Sequence, residues 1–319
     1  MTLVEQPSVV EADAPALDDE ASAAASSEPS AAGAAPASTA SPNRQLLAAS
    51  LAVIAVLAAV LVLQLTIIGR LQHRSAQVAA FDAFRDELAH GTAPVGPTDR
   101  DGKATPFGTP VALVSIPAMQ LTEVVLEGTT STVLMDGAGH RRDTVLPGQV
   151  GTSVIYGRAN AYGGPFSNLH ELAAGDEIEV TTGQGVSTYK VTGLRRGGEN
   201  APAAPASGSG RLVLLTATGF PYVPSGVVRV DADLTSKAFG TPEQSGAALT
   251  TAETPLGIDT STVWALVLWL QALALLGFAA VWSWNRWGHR QTWIVFVPVL
   301  AFVSFNVTDE LLRVLPNVL

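Results

Sequence analysis

The sequence predicts a mainly β domain held between membrane-spanning α-helices, and three observations carry that prediction. Of its 319 residues 47% are hydrophobic and only 14% are charged, too apolar a balance for one soluble domain of this length. Two long runs, 46–68 and 263–284, are almost free of polar side chains. Between them lie short stretches rich in Val, Ile, Leu and Thr, separated by clusters of Gly, Pro and Asp, which is how strands and turns read.

Composition also excludes several classes of function. The formal net charge is -10 and the pI is near 4.9, which argues against nucleic-acid binding, because phosphate backbones are held by basic surfaces. There is no cysteine, so disulfides, thiolate metal sites and a cysteine nucleophile are all ruled out. No phosphate-binding loop, calcium loop or helical pair of metal histidines is present, and we expect no metal and no cofactor.

Residues 1–44 are dominated by Ala, Ser, Pro and acids such as Glu11, Asp13, Asp18, Asp19 and Glu20. They read as a disordered tail, either a docking or phosphorylation segment or a passive extension. The run 46–68 is interrupted only by Ser50, Gln64 and Thr66 and is long enough to cross a hydrocarbon core, so 45–69 is the first span, an uncleaved anchor. Over 70–109 a stalk helix is expected, with Val78, Phe81, Phe84 and Leu88 on one face, followed by a Gly/Pro-rich linker.

Seven strands are expected at 111–116, 123–126, 153–156, 177–181, 188–194, 212–215 and 227–232, mainly antiparallel, with Gly183-Gln184-Gly185 as a hairpin turn. A closed barrel or a sandwich would satisfy this pattern, and a barrel leaves no free edge. Residues 238–261 read as a flexible linker. The second span covers 262–284, with Trp264, Trp282 and Trp284 near its ends. The third covers 292–312 and contains Pro298. Arg286 and Arg290 make the loop 285–290 basic and place it in the cytoplasm, with the N-terminus. Parity then puts residues 70–260 outside. Asn306-Val307-Thr308 fits a glycosylation pattern, but at the end of a span it means little.

The residues of the β region carry a resemblance. In order and spacing, Ile116-Pro117, Val125-Leu126-Glu127-Gly128, Gly137-Ala138-Gly139-His140, Leu146-Pro147-Gly148-Gln149, Val154-Ile155-Tyr156-Gly157 and Tyr162-Gly163-Gly164-Pro165-Phe166 resemble the sortase family, especially its actinobacterial class E branch. Gly175-Asp176-Glu177-Ile178, residues 212–218 and Ala232-Asp233-Leu234 continue the match. The resemblance covers roughly residues 110–235 and implies an eight-stranded sortase β-barrel at 110–237.

It also implies a chemistry: a thiolate attacks a sorting-signal peptide bond, a histidine protonates the departing amine and an arginine stabilises the oxyanion. Each position differs here. The nucleophile position holds Ala217, and a methyl group does no covalent chemistry. The histidine position holds Arg158, whose guanidinium stays charged. The arginine position falls on Val227, with Arg229 two residues on and therefore on the same strand face. Thr216 and Thr218 should face away from the groove that Ala217 faces. His140 and His170 read as turn or surface histidines, and neither makes an evident base.

The barrel is therefore expected to bind rather than react, with Arg158, Arg229, Tyr156 and His140 as candidate binding residues. Arginine's planar fork suits a carboxylate or phosphate, so an anionic peptide or envelope ligand, or a membrane or cell-envelope protein partner, is expected. Two alternatives stand beside this reading: a transpeptidase or hydrolase with an atypical nucleophile, and an accessory subunit of a membrane transport or envelope-export complex.

Overall fold

The structure, a computed structural model, describes residues 42–96, 98, 103–242, 248–287 and 289–319. Residues 1–41 of the expected tail lie outside them. Helix α1 (Pro42–Leu63) runs through a π-helical turn (Gln64–Ile68) into α2 (Gly69–His90). At 1.5 Å per residue this unbroken helical stretch is roughly 70 Å long, more than twice a hydrocarbon core of about 30 Å, and its apolar part to Ile68 is long and apolar enough to cross a membrane. The π turn is closed by the Gly69 N–H on the Gln64 carbonyl. It turns the buried Gln64 side chain toward Gln72 (3.0 Å) and the hydroxyl of Tyr162 (3.4 Å). A Cβ at position 69 would stand 2.9 Å from the Gln64 carbonyl oxygen and 3.4 Å from the Tyr162 ring, so glycine here lets the tyrosine lie against the helix.

Helices α4 (Val263–Trp287) and α5 (His289–Val314) form the second and third stretches long and apolar enough to cross a membrane. Leu273 of α4 packs with Leu300, Val303 and Val307 of α5, and Leu57 of α1 joins them. Trp269 meets Phe302 edge to face at 6.2 Å.

The domain between the helices is a closed barrel of eight strands: β1 (Pro110–Ile116), β2 (Leu121–Glu127), β3 (Ala138–His140), β4 (Gly151–Tyr156), β5 (Glu177–Thr182), β6 (Gly185–Arg196), β7 (Gly210–Phe220) and β8 (Val223–Leu234). Their order around the barrel is β1-β2-β3-β4-β7-β8-β6-β5. Seven of these are legible in the sequence as short runs rich in Val, Ile, Leu and Thr. The eighth, β3, lies in what reads as a turn cluster, and it follows a short helix, α3 (Ser131–Asp136), capped by the Thr130 side chain. Two pairings, β2 with β3 and β4 with β7, are parallel; the rest are antiparallel. Gly183-Gln184 makes the expected hairpin turn, since Thr182 pairs with Gly185.

Alternation along the strands sorts the side chains. Leu212, Leu214, Val228, Val230 and Ala232 point into the core with Ile178, Val180, Tyr189 and Ile155. Their neighbours Val213, Leu215, Ala217 and Val227 face outward.

Two expectations are corrected. On α2, Val78 and Phe81 are exposed and Phe84 alone of the expected stripe is fully buried. The packed face is instead His73, Gln77, Ala80 and Phe84. His73 Nε2 lies 3.1 Å from Glu123, and Gln77 accepts from the Val124 N–H (2.8 Å) while donating to the Val124 and Asp136 carbonyls. A rule that counts only apolar residues misses a helix face built on polar clamps.

The expected flexible linker 238–261 is pinned to the barrel at two places. Phe239 exchanges backbone hydrogen bonds with Gly148 and Val150. Farther on, a 3-10 turn (Thr251–Glu253), closed by a capping box, receives the Thr129 hydroxyl on the Glu253 carbonyl at 2.8 Å. Thr129 and Glu253 are both buried.

Candidate functional site

The positions singled out from the resemblance meet on the outer face of β4, β7 and β8. Ala217 on β7 is directly opposite Val227 on β8. With Tyr156 and Val154 of β4 and Val213 and Leu215 of β7 they form one apolar floor, which exists because successive outward positions at 154 and 156, and at 213, 215 and 217, are apolar, while β8 adds Val227 beside the polar Arg229. The floor is roofed by Leu134 of α3 and by Val318, which follows α5; Ala159 and Leu256 pack at its margin. Ala217 and Val227 are each only 8% exposed.

Arg158 stands just past β4. Gly157 before it is required by a close approach, since a Cβ there would fall 2.4 Å from the Phe166 ring. The Arg158 side chain is buried, donates to the carbonyl (3.0 Å) and hydroxyl (2.7 Å) of Ser131, and lies over the Tyr162 ring at 5.4 Å. Its Nε has no hydrogen-bond partner among the described residues. Burial pulls its pKa down to about 10, with Tyr162 acting the other way; the group stays charged at neutral pH. Ser131 and Tyr162 escaped the sequence reading because neither is marked by spacing or charge.

Tyr162 is itself held in the left-handed region (φ 49) between Gln64, Arg158 and Asp309. Burial raises its hydroxyl to about 12. With Met135 and Leu312 it joins the barrel to the helices, and Leu65, Tyr222 and Leu315 pack around them.

The remaining candidates separate. Tyr156 is fully buried and its hydroxyl makes no hydrogen bond among the described residues. Burial raises its pKa, while the charges of Arg141 and Arg229 work to lower it, so Arg229 and Tyr156 do share one electrostatic environment. Arg229 lies on the same face as Val227 and is the only one of the four expected binding residues whose side chain reaches solvent. His140 is buried rather than on the surface: Nδ1 lies 2.9 Å from Glu127, and Nε2 lies 2.9 Å from the Val145 carbonyl and 3.2 Å from the Thr144 hydroxyl. Both ring nitrogens are thus engaged inside the domain.

An open cleft of about 320 Å³ adjoins the floor, bordered by Thr216, Ala217, Ser167, His170, Phe220 and Leu319 among others. The Thr216 hydroxyl donates to the Gly157 carbonyl at 2.8 Å. Ser167 and Thr218 also border the cleft, and no hydrogen bond joins either hydroxyl to His170 among the described residues. Chemically the site is an apolar floor with hydroxyls, one imidazole and the Arg196 side chain at its rim, and among the described residues none of these hydroxyls is hydrogen-bonded to a base.

Comparison with curated proteins finds no match. Among solved structures, the sortase D5 transpeptidase of Clostridium perfringens is 20% identical, over 51% of this chain and 99% of its own, with a TM-score of 0.41. Sortase A of Corynebacterium diphtheriae, a lid mutant, is 21% identical over 51% and 95% (TM-score 0.39). Sortase E of Streptomyces avermitilis is 27% identical over 47% and 100% (TM-score 0.36). The sequence itself matches the Sortase domain family over residues 114–232, a stretch that begins within β1 and ends within β8. A closed eight-stranded barrel and a family match thus fall on the same residues, and the domain at 114–232 belongs to the sortase family.

Proposed function

We propose that this chain is a membrane-anchored, non-catalytic sortase-domain protein whose barrel serves as a binding or assembly subunit on the extracytoplasmic side. The observation that carries this reading is the floor at Ala217 and Val227: two apolar side chains, paired across β7 and β8 and roofed by Val318, stand where the resemblance places a nucleophile and an oxyanion donor. Covalent acyl transfer needs a nucleophile beside a base and a fixed donor for the oxyanion. Arg158, at the proton-donor position, is turned into Ser131 and cannot cycle a proton near neutral pH. Sidedness is argued from Arg286 and Arg290, at the facing ends of α4 and α5, by the excess of basic residues on cytoplasmic connections. Any anionic group of a partner would meet Arg229, because Arg158, Tyr156 and His140 are buried.

The rim residues Ser167, Thr218 and His170 keep a second reading in view, an enzyme with an atypical nucleophile. Purified chain in detergent, given sorting-signal peptides and hydroxylamine as a strong acceptor, separates the two. No product above the protein-free background is expected. Turnover that Ser167→Ala, Thr218→Val or His170→Ala abolishes would replace the binding reading with the enzymatic one.

A further inference from the structure

The turn that joins β7 to β8 is apolar where turns are ordinarily polar. From Gly219 to Pro224 the chain reads Gly-Phe-Pro-Tyr-Val-Pro, with no charged side chain and none of the Asn, Asp or Ser that turns favour. Phe220 pairs directly with Val223 across this turn, so the two side chains stand together at the tip. Phe220 is 83% exposed and Val223 67%, and Phe220 is the most exposed large apolar side chain among the described residues, ahead of those on the outsides of α4 and α5. A single exposed apolar side chain is ordinary. A pair at the end of a hairpin takes its meaning from where that end lies.

The tip lies where the membrane-crossing helices end. Between Phe220 and Val223, Tyr222 adopts the left-handed conformation (φ 62), an unfavourable one for a tyrosine. Its side chain is held on the cluster of Met135, Ala161, Tyr162 and Leu312, where Leu65 and Leu315 also pack. Leu65 belongs to the π turn that closes the first apolar stretch, and Leu312 lies in the last turn of α5. Arg70, exposed at the start of α2, is near enough for its charge to act on the Tyr222 hydroxyl, and an arginine just past an apolar span meets lipid phosphates. The other end of the barrel is far off. Val223 to Leu234 spans roughly 35 Å along β8 at about 3.3 Å per residue, and the exposed Val186 lies beyond Tyr189, the partner of Leu234.

We infer that the β7–β8 hairpin is a membrane-contacting element: Phe220 and Val223 enter the headgroup region of the bilayer on the barrel's side, with Arg70 at the phosphates beside them. Interfacial segments that combine apolar and basic side chains bury the apolar ones by about 5–10 Å. The barrel is then held to the bilayer at a strand end as well as through α2, which fixes the side of the domain that faces lipid. This rests on the chain being membrane-anchored and is independent of whether the barrel is catalytic.

The test uses the full chain in lipid nanodiscs. Because the chain has no cysteine, single nitroxide labels can be placed by Pro221→Cys at the tip, Val62→Cys in the first span and Val186→Cys at the far end of the barrel. Val62 and Val186 are both exposed on the protein itself. Power saturation then compares collisions with oxygen, which concentrates in lipid, and with a water-soluble nickel chelate. Val62 is expected to read as lipid and Val186 as water, with the oxygen-to-nickel ratio at Pro221 about threefold or more above that at Val186. Adding Phe220→Ser with Val223→Ser, two changes at exposed positions, is expected to bring Pro221 down to the Val186 value and leave Val62 unchanged. A water-like Pro221 beside a lipid-like Val62 overturns the hairpin's insertion and spares the anchoring; a water-like Val62 overturns both. A Pro221 label shielded from both reagents marks a protein cover in place of lipid and overturns the inference, as does a label that the two serines leave lipid-like.

Discussion

The two faces of β7 and β8 are built by the same alternation and become buried by different means. Inward, Leu212, Leu214, Val228 and Val230 meet side chains of the other strands, so closing the barrel covers them. Outward, Val213, Leu215, Ala217 and Val227 would be a bare apolar patch on the barrel alone. They are covered by Leu134 and by Val318, which is about a hundred residues away in sequence. An inner face is covered by closure of the barrel itself, whereas this outer face is covered only by residues brought in from α3 and from beyond α5.

The largest expected effect tests that difference directly. Leu214→Ala in the barrel interior should cost about 2–5 kcal/mol, since a buried leucine loses its transfer energy and leaves a cavity that strands cannot close. Leu215→Ala, its outward neighbour and equally buried, should fall at the low end of that range, because a short covering segment can settle into the space. Thermal melts of the two variants report both, and equal losses would break the comparison.

Arg158 sharpens it next. Its guanidinium is buried against Ser131 with no carboxylate within salt-bridge distance among the described residues, so burial is a cost that two neutral hydrogen bonds and the Tyr162 ring offset. Arg158→Ala should destabilise by about 2–3 kcal/mol through lost packing and an orphaned Ser131 carbonyl. Arg158→Met, which restores volume without charge, should stay within about 1 kcal/mol of the parent. If the methionine variant melts normally but recovers fewer partners in pull-down, Arg158 contacts a ligand after all; unchanged recovery assigns it to the architecture.

The smallest effect concerns how α2 is clamped to β2. Burial opposes charging of His73, but Glu123, the Met135 carbonyl and Asp136 together raise its pKa above the ordinary imidazole value. A raised value means that the folded chain favours the protonated ring. That contribution is complete below about pH 6.5 and is lost as the pH climbs through the folded-state value. Melting temperature should therefore fall modestly between pH 5.5 and 8, by an amount equivalent to about 1 kcal/mol or less. His73→Gln should flatten that part of the profile, and an unaltered slope would remove the clamp from consideration.

Sequence by itself determined whatever depends on local period and composition. The apolar runs specify the three long helices, the alternation in 227–232 sets Val228, Val230 and Ala232 against Arg229 and Asp231, and the order of turns and glycines carries the sortase resemblance; 212–215, apolar at every position, leave the inward face open. It also set the face shared by Val227 and Arg229, because a period of two is obeyed along any strand, while the pairing that puts Ala217 opposite Val227 is a matter of register. Tertiary structure alone decided the rest. It decided that Ala138–His140 becomes a strand, parallel to β2 and antiparallel to β4, that His73 and Gln77 form the packed face of α2, and that Arg158 turns into Ser131. It decided, too, that Val318 ends on the floor beside Ala217. Those outcomes rest on contacts between residues far apart in the chain, made by polar or small side chains whose local pattern is the same whether or not a partner waits for them.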